Sequence, residues 1–187
     1  MIKHTGGCHC GKVTFSTEFD PWVVFHCNRK KCRKLFGTVA VFVAFGSKDE
    51  VQFNGEMSEY AAPAEDGSLA RTFFCSDCGT KIYGTADAFE GFGVILGAFD
   101  DPHQFEPKLE NYIEHKLPWL KDSGCIKESV EGLAAIETIE AMMENVEQRE
   151  WNKRSKKHSF GLMIVLKDGY ICSAQATLFA VSYTHLT

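Results

Sequence analysis

Six of the eight cysteines fall into three close pairs: Cys8-His9-Cys10, Cys27 with Cys32 inside "CNRKKCRKLFG", and Cys75-Ser76-Asp77-Cys78. Thiols at such spacings serve metal, redox or nucleophilic chemistry. In a C-x-x-C-G knuckle two thiolates point at one ion while backbone amides turn toward the sulfurs, and Gly79 allows the positive φ that so tight a turn needs. "CHCG" ends the same way. Cys8, Cys10, Cys75 and Cys78 therefore make a four-thiolate tetrahedral set suited to a structural zinc. A thioredoxin-like redox pair is the other reading of Cys75 and Cys78. That motif opens a helix in a βαβ unit, whereas "ARTFF" and "TKIYG" on either side read as strands. Cys125 and Cys172 have no near partner in sequence and read as buried or incidental thiols.

The middle pair sits among Arg29, Lys30, Lys31, Arg33 and Lys34. Such a run is either a solvated basic surface or an attractor for small carboxylates. His9 and His26 are the nearest imidazoles in sequence, and imidazole is a good zinc ligand. His26 adjoins Cys27 at a strand end, so its side chain is expected on the opposite face.

The elements that must position these groups are mostly strands. "KVTFSTEF" alternates Val13 and Phe15 with Thr14 and Ser16, as a half-buried strand does. "WVVFH", "TVAVFVAFG", "RTFF", "KIYG" and "GVILGAF" are short apolar runs bounded by turn formers. No helical period separates them, which favours a mainly β architecture over βαβ units. Farther on, Ile126, Val130, Leu133, Ile136, Ile139, Met143 and Val146 recur at three- and four-residue steps, predicting a helix over about 126–150 with one packing face. "REWNKRSKKH" follows as a solvated helix end or linker. A hairpin around a Lys-Asp-Gly turn is expected over 159–180. The final "VSYTHLT" resembles a terminal string found on unrelated open reading frames, and is expected to carry no function.

At 187 residues the chain accommodates one domain with an appended segment. Its net charge of −5 argues against a general nucleic-acid binder, which needs a basic surface. The N-terminus lacks the apolar core of a secretory signal, and the longest apolar run is too short to span a bilayer. The expectation is a cytoplasmic protein, where so many cysteines point to metal or catalysis over disulfides.

"GGCHCGKVTF", "HCNRKKCRKLFG", "SEYAAPAEDGSLARTFFCSDCGTKIYG" and "GAFDDPHQFEPKLENYIEHKLPW" resemble, in that order, the glutathione-dependent formaldehyde-activating enzyme family, which includes the centromere protein V-like proteins. The likeness covers about residues 6–120. It implies a zinc-binding β domain over 1–120 with an Mss4-like fold of small antiparallel sheets, followed by an extension over 121–187. It assigns the structural zinc to Cys8, Cys10, Cys75 and Cys78. It also implies a second, catalytic-type zinc held by C-x-C-x-x-C, in which Cys27 and Cys32 match the first and third cysteines. Arg29 stands where the middle one belongs. A guanidinium stays protonated and offers no lone pair, so it cannot replace a thiolate.

The resemblance implies a zinc-dependent carbon–sulfur lyase that joins glutathione and formaldehyde into S-(hydroxymethyl)glutathione, with the thiol and the aldehyde as its partners. The alternative is a zinc-stabilised binding or assembly module that lost its second metal through Arg29. A redox dithiol at Cys27 and Cys32 is a third reading, against which the C-x4-C spacing speaks.

Overall fold

The computed structural model describes residues 4–18, 20–47, 51–88, 91–121 and 124–144. Its elements run β1 (His4–Gly7), β2 (Thr14–Thr17), β3 (Val23–Cys27), α1 (Lys30–Phe36), β4 (Val41–Gly46), β5 (Val51–Asn54), β6 (Met57–Pro63), β7 (Leu69–Cys75), β8 (Lys81–Ala86), β9 (Phe92–Ile95), β10 (Leu109–Asn111), β11 (Glu128–Val130) and α2 (Ile136–Glu144). The mainly β expectation holds. Among the described residues the strands form a three-stranded antiparallel sheet, β1-β2-β5, and an eight-stranded sheet ordered β11-β10-β3-β4-β9-β8-β7-β6. The larger sheet is mixed, because β10 runs parallel to both β3 and β11.

The alternation read in "KVTFSTEF" is realised: Val13, Phe15 and Thr17 are buried while Thr14 is exposed. That face meets the large sheet. Phe53 of β5 stacks on Tyr83 of β8 at 4.6 Å, and Tyr83 stacks on Phe73 of β7 at 4.4 Å. The three rings join the two sheets, each contact contributing about 1 kcal/mol beyond its buried area. Phe15, Phe92, Phe99 and Phe105 extend the same core.

A second, smaller cluster lies at the other end of the large sheet, where Val23, Leu109, Ala134 and Ile139 pack with Phe25, Phe45, Val130, Met142 and Met143. Here the structure corrects the helix expected from about 126. Residues 128–130 pair with β10 as β11, Gly132 takes a left-handed φ of 71°, and the helix begins at Ile136. The open edge of β10 supplies backbone partners that outweigh the helical period. Asn111 confirms the turn: its Oδ1 accepts from the Ala134 N–H at 2.9 Å, and Tyr112 N–H donates to Gly132 O at 2.8 Å. Leu133 and Ile136, placed on the packing stripe by periodicity, are about half exposed. The described residues up to 144 belong to one compact unit. The hairpin expected over 159–180, Cys172 and the final "VSYTHLT" lie outside the described residues. No helix among those described is long and apolar enough to cross a membrane.

Candidate functional site

Two turns carry the four cysteines read as one set. Cys8 and Cys10 follow β1, at the hairpin that leads into β2, and Cys75 and Cys78 sit between β7 and β8. The chain reverses tightly at each: Cys8 N–H donates to Val13 O at 2.9 Å and Gly11 N–H to Cys8 O at 3.1 Å, while Gly79 N–H donates to Cys75 O at 2.9 Å. Gly11 has φ 77° and Gly79 φ 73°, with nothing near where a Cβ would sit, so their glycine requirement is conformational and not steric. The two hairpins are tied by His9 N–H to Thr80 Oγ1 at 3.2 Å and by an ion pair between Lys12 and Asp77.

The sulfurs of Cys8, Cys10, Cys75 and Cys78 all lie within 4.8 Å of one another, with Cys8 to Cys10 at 3.4 Å and Cys10 to Cys75 at 3.7 Å. A tetrahedron of thiolates about 2.3 Å from a central zinc has sulfurs about 3.8 Å apart, so the set fits such an ion. Backbone and hydroxyl donors already face these sulfurs. Val13 N–H donates to Cys8 Sγ at 3.1 Å, and Thr80 Oγ1 lies 3.2 Å from Cys78 Sγ. The Thr80 side chain, then its backbone N–H, draws the Cys78 thiol down to about 5. The four cysteines could hold a metal ion; Cys75 is fully buried while Cys10 and Cys78 are exposed.

The Cys27 and Cys32 pair forms at the junction of β3 and α1. The strand ends on Cys27, Arg29 caps α1, and the first turn returns Cys32 so that the sulfurs are 3.7 Å apart. Cys27 donates to Cys32. That bond pushes the Cys27 thiol up, as does its burial, and lowers Cys32 to about 7 against the opposing effect of burial. The Arg29 charge lowers it further.

Arg29 does not leave the third ligand position open. Its Nη2 pairs with Glu65 Oε1 at 2.8 Å, and its guanidinium lies over the Tyr112 ring, 5.5 Å from the centroid. The Tyr112 hydroxyl donates to Glu65 Oε2 at 3.0 Å. Two thiols and a guanidinium are a poor donor set for a second zinc, because arginine offers no lone pair and its positive charge bears on both sulfurs.

His26 is turned away from this pair. Its Nε2 lies 2.9 Å from Glu110 Oε1, across the parallel β3–β10 register that also sets Cys27 opposite Asn111. Glu110 is 2% exposed and also meets Lys116 Nζ at 3.0 Å, Asn28 Nδ2 at 2.9 Å and Ser129 Oγ at 3.4 Å. Burial pushes its carboxyl up, but Lys116, Asn28 and His26 together hold it below the usual carboxylate range. Arg33 of the basic run ties α1 to the following turn, donating to His115 O at 2.8 Å, while Lys30, Lys31 and Lys34 remain exposed.

Sequence reading missed Glu65, Tyr112 and Glu110. Each reaches its partners from 36 or more residues away or from a strand of only three residues, and no local spacing marks them. Tyr112 carries the one visible signal once the backbone is known: at φ 58° it is the only non-glycine residue with a positive φ among those described.

Residues 3–115 match the family model for the glutathione-dependent formaldehyde-activating enzyme. One solved structure, of a Rhodobacter sphaeroides protein, shares 20% sequence identity over 51% of this chain and 87% of its own, at a TM-score of 0.42.

Proposed function

The chain belongs to the glutathione-dependent formaldehyde-activating enzyme family, and from that premise we propose that it is a carbon–sulfur lyase acting on the adduct of a glutathione-type thiol with formaldehyde. In this reading Cys8, Cys10, Cys75 and Cys78 hold a structural zinc, and the reaction takes place at Cys27, Arg29 and Cys32. The observation that carries it is the 3.7 Å approach of the Cys27 and Cys32 sulfurs next to the partly buried Arg29, at the position where the resemblance puts the family's reactive thiol chemistry.

Formation of S-(hydroxymethyl)glutathione makes one carbon–sulfur bond, removes the thiol proton and leaves a hydroxyl where the aldehyde oxygen was. Cys32, its thiol lowered to about 7, accepts the proton from the incoming thiol and passes it to the aldehyde oxygen as the carbon–sulfur bond forms, which restores the Cys32 thiolate. Arg29 supplies the positive charge that favours both the substrate thiolate and the oxygen on which negative charge develops. Reversal breaks the same bond, with Cys32 taking the proton from the hydroxyl and delivering it to the departing sulfur. The zinc of the four-cysteine cluster contributes fold stability and takes no part in these steps.

The pairing of Arg29 with Glu65 favours a second reading, a binding module that holds the thiol without turning it over. Magnetisation-transfer NMR on a mixture of glutathione and formaldehyde decides between them. The lyase accelerates exchange between free thiol and adduct, and Cys32→Ser abolishes the acceleration. Binding of glutathione with no change in exchange rate would establish the module.

A further inference from the structure

Arg29 and Tyr112 present two donors to the same carboxylate. Glu65 meets both, Oε1 in an ion pair with Arg29 Nη2 at 2.8 Å and Oε2 accepting from the Tyr112 hydroxyl at 3.0 Å. The donors belong to the protein interior: the Arg29 side chain is 16% exposed and Tyr112 5%. The acceptor does not. Glu65 sits in the turn between β6 and β7 with its side chain 61% exposed.

The fit is close without being complete. Arg29 Nη2 is buried and lacks a properly directed hydrogen bond, although the Glu65 oxygen is within ion-pair distance. A buried guanidinium requires an anion, and planar donors discriminate in favour of one that can meet them squarely. The Tyr112 backbone is held at φ 58°, a conformation costing about 1 kcal/mol or more for a residue with a side chain. That conformation places the ring beneath Arg29 and the hydroxyl beside it.

We propose that Arg29 and Tyr112 form a carboxylate-binding clamp, which Glu65 fills in the free protein and from which the carboxylate of a thiol peptide displaces it. The choice of a thiol peptide rests on the proposed function; the clamp itself rests on the geometry. The neighbourhood suits an anionic peptide. Exposed Lys30, Lys31 and Lys34 raise the local positive potential. A groove of about 490 Å³ beside α1, lined by Lys30, Arg33, Lys34, Thr38, Val39 and Leu117, offers room for the rest of the chain. Arg29 is two residues from Cys27 and its charge bears on both Cys27 and Cys32, so a carboxylate in the clamp adjoins the thiol pair. An exchange of one carboxylate for another conserves the charge on Arg29, and an occupied clamp lowers the apparent affinity by the fraction of time it is closed.

Titration calorimetry with S-methylglutathione tests this, since its blocked sulfur cannot enter thiol chemistry. Glu65→Gln removes the competing charge and is expected to tighten binding about tenfold. Arg29→Lys is expected to weaken it about tenfold, because an ammonium loses the planar donor pair, and Tyr112→Phe by about threefold. The dimethyl ester of S-methylglutathione should bind weakly and respond to none of these changes. Unaltered affinity in Glu65→Gln, equal binding of ester and acid, or no binding to any variant would overturn the clamp. Glu65→Gln lies on an exposed turn, so its reading does not depend on the folding of the Arg29 variant. The two proposals separate cleanly. Exchange catalysis that is equal for glutathione and 2-mercaptoethanol leaves the lyase standing without the clamp. Clamp-dependent binding with no exchange catalysis leaves the clamp standing without the lyase.

Discussion

Cys10 and Cys75 bring their sulfurs to 3.7 Å although one follows a strand of the three-stranded sheet and the other ends a strand of the eight-stranded sheet. An ion held by the four cysteines would therefore link the two sheets. The Phe53–Tyr83–Phe73 stack links the same sheets through apolar contact alone.

The first prediction follows from that link. Cys75→Ser removes a fully buried ligand and is expected to cost on the order of 4 kcal/mol or more, the range in which loss of a structural metal falls. Thermal melts with and without chelator check this: chelated wild type should melt near the variant, and the variant should be insensitive to chelator. A variant as stable as wild type would remove the structural role from the cluster.

Metal stoichiometry tests the reading of Arg29. Wild type is expected to retain about one zinc per chain, in the four-thiolate set. Arg29→Cys places a third thiol beside sulfurs already 3.7 Å apart and is expected to raise the count to about two, the added ion leaving first under mild chelation because its fourth position is open. A count unchanged at about one would show that position 29 does not face the site of a metal.

The Cys27–Cys32 pair should titrate asymmetrically. Cys32 is lowered from 9.0 to about 7 by the hydrogen bond from Cys27 and by Arg29, while Cys27 is raised. Its thiolate is thus present above about pH 7 and lost below it. Alkylation by iodoacetamide, mapped by mass spectrometry, should modify Cys32 with a half-point near pH 7 and leave Cys27 protected through the neutral range. In Arg29→Gln the half-point should move up. Equal labelling of both thiols would contradict the donor–acceptor order.

Acid should act through Glu110. Its folded value lies below the ordinary 4.5, so the unfolded chain takes up its proton first as pH falls. The stability it contributes is complete above the ordinary carboxylate range and is lost as pH falls through the lowered value. Glu110→Gln leaves His26 and Lys116 without their shared carboxylate and is expected to cost about 3 kcal/mol at neutral pH. Denaturant melts across pH 3–7 should show a smaller acid-dependent loss in this variant than in wild type. Parallel acid limbs would place the acid sensitivity elsewhere.

What could be read from residue order alone divides by the range of the interaction. The knuckles were legible because a C-x-C or C-x-x-C spacing with a following glycine encodes its own turn. The β2 alternation was legible because one face of a strand is buried against a single core. Helix α1 was not, since its seven residues, Lys30–Phe36, carry no apolar stripe and none of them is buried. The start of α2 was misplaced because Val130 satisfies both the helical period and a strand face, and only the free edge of β10 decides between them. Glu65, Tyr112 and Glu110 depend on pairings across 36, 47 or 84 positions of chain, for which a sequence has no local sign. Arg29 was readable as a missing ligand; its attachment to Glu65 was not.

The two cysteine turns also bear on the order in which the protein assembles. Cys10 and Cys75 are 65 residues apart, with β2 to β7 between them, so bringing their sulfurs together closes a long loop. A half-site of two thiolates on either hairpin is available early, but closing so long a loop is the slow part. Capture of the ion in its full four-sulfur coordination is therefore a late event, and its absorbance with cobalt in place of zinc would serve as a clock for the moment the small sheet docks.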